Sequence, residues 1–142
     1  MAITSAICNS FKQEILVGTH NLTASTGDTF KLALFTSSAT LGASTTAYST
    51  TNEVSGTGYT AGGNTLTSVT PVLDSSTAVC DFADTSFTSA SFTANGCLIY
   101  NSSQSDKAVA VIAFGSDKTV TTGTFTIQFP TADASNAIVR IA

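Results

Sequence analysis

From Thr29 onward, apolar positions recur at every second residue or in short unbroken runs, a pattern that strands produce and helices do not. Phe30, Leu32 and Leu34 alternate with Lys31, Ala33 and Phe35 and predict a strand. Residues 65–70 and 71–73 supply more strand, Asp74-Ser75-Ser76 a turn, and residues 78–82 another strand. Phe82, Phe87 and Phe92 recur every five residues. That step fits neither a helix face nor a strand face, so it predicts short strands broken by turns. Asn95-Gly96 is a strong turn dipeptide. The continuous apolar runs 97–100 and 108–114, separated by a polar turn at 101–107, predict central strands buried on both faces. Gly115-Ser116-Asp117 predicts a further turn. Phe125, Ile127 and Phe129 alternate with Thr124, Thr126 and Gln128 up to Pro130, and residues 137–141 form a last short strand.

Only the start of the chain carries a helical period. Phe11, Ile15 and Leu16 fall at i, i+4 and i+5, with Asn9 or Ser10 as N-cap, Gln13 at capping-box distance from Ser10, and Gly18 as the stop. Two turns of helix do not stand without something to pack on. Eight or so short strands with regular turn signals predict an all-β fold, an antiparallel β-sandwich or jelly-roll-like domain. The expected organisation is an N-terminal arm with a short helix over 1–28 and the sandwich over 29–142. Residues 37–51, rich in Ser, Thr and Ala, predict a long exposed loop.

Composition narrows the function classes. The 142 residues suit one domain, and 42% are hydrophobic, but only 10% are charged, well below the usual quarter or so. Ser and Thr fill the gap, giving a polar, nearly uncharged surface with a net charge of -4. Lys12, Lys31, Lys107, Lys118 and Arg140 are scattered, so nothing clusters cations for nucleic acid or an anionic membrane. No apolar run approaches the roughly 20 residues of a membrane span. Residues 1–10 lack the basic start and long apolar core of a secretory signal, so synthesis and retention in a cytosol are expected. Cys8, Cys80 and Cys97 are an odd set without CxxC spacing and predict buried reduced thiols, a Cys80–Cys97 bridge being the alternative.

Candidate chemistry is thin. His20 is the only histidine, and no Gly-x-Ser-x-Gly elbow accompanies the many serines. Cys8 and His20 are too sparse for zinc. Asp74, Asp81 and Asp84 lack the Asp-x-Asp-x-Asp-Gly run and the six to eight oxygens of a calcium loop. Nothing in their spacing, or in Glu14 and Glu53, selects a catalytic carboxylate pair. The chain therefore reads as a non-enzyme without cofactor or metal. Its most pointed feature is Gly56-Thr57-Gly58-Tyr59-Thr60-Ala61-Gly62-Gly63. The following residues are β-like, so this is no nucleotide fingerprint. It predicts a shaped hairpin or corner with Tyr59 packed over it, or a loop that meets a partner through Tyr59.

Taken in order, Asn9-Ser10-Phe11-Lys12, Gly18-Thr19-His20-Asn21-Leu22, Asp28 to Phe35, the run Glu53-Val54-Ser55-Gly56-Thr57-Gly58-Tyr59-Thr60-Ala61-Gly62-Gly63 and Phe87 to Phe92 resemble a family of small β proteins. These are encoded among the virion genes of tailed bacteriophages, including phages of cyanobacteria. The match spans most of the chain, and members often carry Trp where Phe87 stands. The resemblance implies a virion structural protein made in the host cytoplasm: a capsid decoration (cement) protein, or a tail or neck component. On that reading a homotrimer sits at symmetry axes of the shell and clamps adjacent subunits of the major capsid protein. The N-terminal segment 1–22, with Phe11, Ile15 and Leu16, is the expected capsid-facing arm. A host-surface carbohydrate-binding module is the rival, and the absence of Trp counts against it.

Overall fold

In the computed structural model, which describes residues 2–142, the chain runs β1 (Ala6–Ile7), α1 (Asn9–Leu16), β2 (Phe30–Phe35), β3 (Asn64–Thr65), β4 (Ser68–Asp74), β5 (Thr77–Phe82), β6 (Thr85–Asn101), β7 (Lys107–Ile127) and β8 (Val139–Ile141). A five-stranded sheet in the order β1-β7-β6-β2-β3 faces a three-stranded sheet in the order β4-β5-β8, and all these pairings are antiparallel. The protein is therefore all-β, with a two-sheet sandwich and one short helix. Phe30 on β2 meets Phe82 on β5 at a ring-centroid distance of 5.6 Å, and Phe82 meets Phe129 at 6.4 Å. These rings join the two sheets.

The backbone of the large sheet is one long hairpin. β6 and β7 stay paired from Asn101 opposite Lys107, beside the turn, to Thr85 opposite Ile127. Of the apolar runs 97–100 and 108–114, residues 97–100 and 108–111 are buried, as expected of central strands, while Ile112, Ala113 and Phe114 are only half-buried. Two expected turns are absent. Asn95-Gly96 and Gly115-Ser116-Asp117 lie inside β6 and β7, because long-range pairing overrides the local turn preference. Gly96 is needed for a different reason: a Cβ there would lie 2.7 Å from Ile3 Cγ2 and 2.8 Å from the Ile112 carbonyl oxygen. The segment 114–117 of β7 bulges opposite Asn95.

The five-residue step from Phe87 to Phe92 has the same origin. An odd spacing in a regular strand puts two side chains on opposite faces. Register shifts between Phe87 and Ala90 and between Ala90 and Phe92 reset that parity, and both rings are buried and meet edge-to-face at 5.9 Å. One bulged strand does what the pattern assigned to several short ones.

The N-terminal segment, with Met1 outside the described residues, lies on the sandwich as part of the same core. β1 pairs with β7, and Cys8 and Phe11 are buried in the cluster that holds β2 and β6. The helix starts one residue earlier than an Asn9 cap, and two earlier than a Ser10 cap, would set it. Cys8 occupies the N-cap position without a side-chain bond, and its carbonyl accepts the Lys12 N–H. Ser10 lies within the first turn, its buried hydroxyl unpaired, so the Ser10–Gln13 capping box does not form. Residues 37–51 are also less exposed than their polarity suggests. Ala39 is buried, Thr46 O accepts the Ala108 N–H, and Tyr48 stacks on Tyr100 at 4.6 Å.

Cys8, Cys80 and Cys97 are free and buried. Cys80 is paired with Val139 in the small sheet, while Cys97 lies between Leu34 and Ile112 in the large one, so the alternative Cys80–Cys97 bridge does not form. Burial pushes the Cys8 thiol up to about 11 and those of Cys80 and Cys97 up to about 12. The thiolate is the reactive form. The folded protein is accordingly expected to resist a thiol-specific disulfide reagent at pH 8 and to release three equivalents once denatured. Rapid labelling of native protein would show that these thiols are reachable.

Candidate functional site

The glycine loop is the first place to look for function, and its backbone lies flat on β6. The Ser91 N–H donates to Thr57 O at 2.9 Å. At Gly58 (φ +80°) a Cβ would come within 2.7 Å of Ala90 Cα and 2.8 Å of Thr88 O. At Gly63 (φ +78°) it would fall on the Leu32 carbonyl oxygen. These glycines are there because backbone passes over backbone in a left-handed conformation. Tyr59 turns inward from the loop, its ring 5.4 Å from Phe87 and 5.9 Å from Phe92. Of the two expectations for this cluster, the packed corner describes the geometry.

Glu53, which heads the run shared with the resembled family but to which the sequence assigns no role, organises that corner. Its Oε1 accepts the Tyr59 hydroxyl at 2.6 Å and the Gly62 N–H at 2.7 Å, and its Oε2 accepts the Tyr48 hydroxyl at 2.7 Å. Tyr59 Oη in turn accepts the Leu34 N–H at 2.9 Å, and the Tyr100 hydroxyl donates to Gly62 O at 2.6 Å. One carboxylate thereby fixes the loop, the 37–51 segment and the central strands β2 and β6. Burial and then the Glu53 carboxylate raise the Tyr48 and Tyr59 phenols well above the ordinary tyrosine range, and burial with the Asp106 and Glu53 charges lifts Tyr100 to about 12. A phenol that must remain protonated to donate these bonds is structural, not a reacting group.

His20 is equally committed. The Asn101 amide donates to His20 Nδ1 at 3.0 Å and to Asp28 Oδ2 at 2.8 Å, and its Oδ1 accepts the Ser103 N–H. The last bond fixes the amide orientation, so His20 carries its proton on Nε2 and donates it to Glu14 Oε1 at 3.1 Å. Glu14 Oε2 lies 3.5 Å from Lys107 Nζ. Partial burial pulls the Asp28 carboxyl up, but bonds from the Asn21 N–H, Asn101 and Gln104 outweigh it and hold it below the usual carboxylate range. With both ring nitrogens occupied, His20 is no base for a serine. The cluster clamps α1 and the loop after it to the β6–β7 turn.

What is left for recognition is apolar. A cleft of about 470 Å³ opens between α1 and the small sheet, lined by Phe11, Ile15, Leu22, Pro71, Ala78, Cys80, Val139 and Ile141 with His20 in its wall. Ile141, 57% exposed, lines it, and Leu16 at 86%, Val17 at 66% and Leu73 at 72% are further exposed apolar side chains on α1, its C-cap and β4. Leu73, Ala78 and Ile141 form one cross-strand row. Val72, paired with Val79, faces the other side of the small sheet, and every exposed large hydrophobic residue among the described ones lies on α1, its C-cap, β4 or β8. Of the three expected arm residues, Phe11 is internal, Ile15 lines the cleft and Leu16 points outward. Leu73, Val17 and Ile141 were missed because a two- or three-residue apolar stretch at an element's end looks the same whether it is covered or bare.

Among the described residues no three His, Cys, Asp or Glu side chains converge as metal ligands. No described helix is long and apolar enough to cross a membrane. The chain matches no protein-family model, no curated protein and no solved structure.

Two substitutions test the corner. Gly58→Ala is expected to cost about 2–3 kcal/mol, from strain at positive φ and the clash with Ala90. Glu53→Gln should cost about 1.5–3 kcal/mol, because a neutral amide presents a donor to a tyrosine hydroxyl. Urea unfolding measures both, and a change under 0.5 kcal/mol at either site would contradict the assigned role. Since the folded Tyr100 phenol sits above its unfolded value of about 10, its contribution is complete below pH 10 and lost as pH rises toward 12. A thermal midpoint that stays flat from pH 9 to 12 would argue against the network.

Proposed function

We propose that this protein is a structural component of a bacteriophage virion, a capsid decoration protein that acts as a homotrimer on the assembled shell. The sequence resemblance supplies the phage context. The observation that carries an assembly role is the exposure of six large apolar side chains on α1, its C-cap, β4 and β8 of a chain whose surface is otherwise rich in Ser and Thr. Exposed apolar surface of this kind marks interaction sites on proteins that are otherwise polar. The polar groups that chemistry would require, at His20 and Glu53, are instead spent on holding the fold.

Mechanistically, such a protein adds contacts between subunits that are already in place. Each apolar side chain covered on assembly contributes at about 25 cal/mol per Å². A rigid sandwich loses little conformational freedom on docking, so more of that gain is kept. The major capsid protein is the partner on this reading, with synthesis in the host cytoplasm and residence in the virion. Decoration is favoured over sugar recognition because the chain has no Trp and most of its nine Phe and three Tyr are buried in the core.

Purified protein is expected to co-sediment with expanded shells of its major capsid protein, to saturate, and to raise the temperature at which those shells come apart. Failure to pellet with shells across micromolar concentrations would sink the decoration role.

A further inference from the structure

We propose that Asn95 is the residue at which this protein deamidates spontaneously, and that the β6–β7 hairpin, through Asp117, controls the rate. The reaction is intramolecular. The Gly96 backbone nitrogen gives up its proton and bonds to Asn95 Cγ, the Cγ–Nδ2 bond breaks, and the side-chain nitrogen leaves as ammonia. Water then opens the cyclic imide at either carbonyl and leaves an aspartyl or an isoaspartyl residue. Ammonia lost and water gained balance the change, nothing is oxidised or reduced, and solvent is the only co-reactant.

The sequence selects the site. Of the seven asparagines only Asn95 precedes a glycine. A glycine has no Cβ to shield its nitrogen and gives the backbone its widest freedom to turn. In an unfolded chain that combination makes the attack on the neighbouring amide easy.

The fold works against it. Asn95 is half-buried and Gly96 buried, both within β6. Closing the imide ring turns the backbone of Asn95 away from the strand ψ of about +135°. Gly96 pairs with Ala113 and is packed so closely that a Cβ would lie 2.7 Å from Ile3 Cγ2, so it has no room to follow. The ladder passes from Ala94 opposite Lys118 to Gly96 opposite Ala113 and leaves Asn95 at a bulge. There the side chain supplies the hold: Asn95 Nδ2 donates to Asp117 Oδ1 at 2.9 Å. The nitrogen that must leave is the one Asp117 grips.

The product fits less well than the reactant. An aspartyl group at position 95 sets a second carboxylate against Asp117, where the amide had offered a donor. Like charges facing each other across a strand pair destabilise it. The isoaspartyl form also lengthens the main chain of β6 by one carbon inside this ladder. Deamidation therefore loosens the hairpin that restrained it.

Peptide mapping by mass spectrometry, on folded protein and on guanidinium-unfolded protein held at mildly alkaline pH, tests the proposal. Unfolded, Asn95 is expected to convert before the other six asparagines. Folded, its conversion is expected to be slower by more than about tenfold, since it waits on opening of a central hairpin. Asp117→Ala, checked for folding by far-UV spectrum, is expected to speed the folded reaction several-fold. Asp117→Asn keeps an acceptor for Asn95 Nδ2 and is expected to stay slow. Another asparagine converting first in the unfolded chain overturns the site. Equal rates in folded and unfolded protein overturn control by the fold, and an Asp117→Ala rate equal to the wild type overturns the part given to Asp117. Thermal midpoints decide the same point without relying on that variant. Asn95→Asp is expected to melt lower, and adding Asp117→Asn, which returns a donor to the pair, to recover most of the loss. A double variant no more stable than Asn95→Asp alone overturns the pairing.

Discussion

The pairing of β6 with β7 is the constraint on which the remaining structure depends. The two strands are unequal, at 17 and 21 residues, yet they stay registered from the turn at residues 101–107 to the far end at Thr85 and Ile127. The mismatch is absorbed in bulges. Those bulges place Phe87 and Phe92 on one face, and so create the apolar floor on which Tyr59 rests. They also interrupt the outer edge of β7, with Gly115 and Thr122 at positive φ. An edge so broken is a poor template for a further strand, which matters in a Thr-rich chain of high β propensity.

Two polar centres then fasten the irregular parts to this hairpin, one on each side of its inner half. Glu53 ties residues 48, 59 and 62 to β2 and β6, and the Glu14–His20–Asn101–Asp28 cluster ties residues 14–28 to the turn. Both are satisfied bond for bond, as buried polar groups must be if they are not to weaken the fold. This accounts for how a protein with 10% charged residues uses its few carboxylates. They do internal work, and the surface is left to Ser and Thr.

Much of this was legible in the sequence, and the failures share a cause. Phe30 to Phe35 and the runs at 97–100 and 108–114 gave strands because each is a short, largely apolar stretch bounded by polar residues, and β2 is in fact buried on both faces. Asn95-Gly96 misled because a dipeptide preference worth a fraction of a kcal/mol competes with a ladder pinned on both sides. Gly58 and Gly63 were visible as a shaped loop, but the backbone they cross, Thr88 to Ala90 and Leu32, is remote in sequence. Glu53 looked like one acidic residue among nine. Its role comes from three donors that folding brings to it.

The exposed apolar side chains were hidden for a related reason. They come from α1, β4 and β8, near the start, middle and end of the chain, and no contiguous segment carries them. An unfolded or half-synthesised chain therefore does not bring these side chains together; only the completed sandwich does. The small sheet that holds Leu73 and Ile141 is joined to the large one through Phe30, Phe82 and Phe129, so the core rings set the position of the outer surface. The helix end that carries Leu16 is set by the His20 clamp. The placement of these exposed side chains thus depends on the same packing that makes the monomer stable.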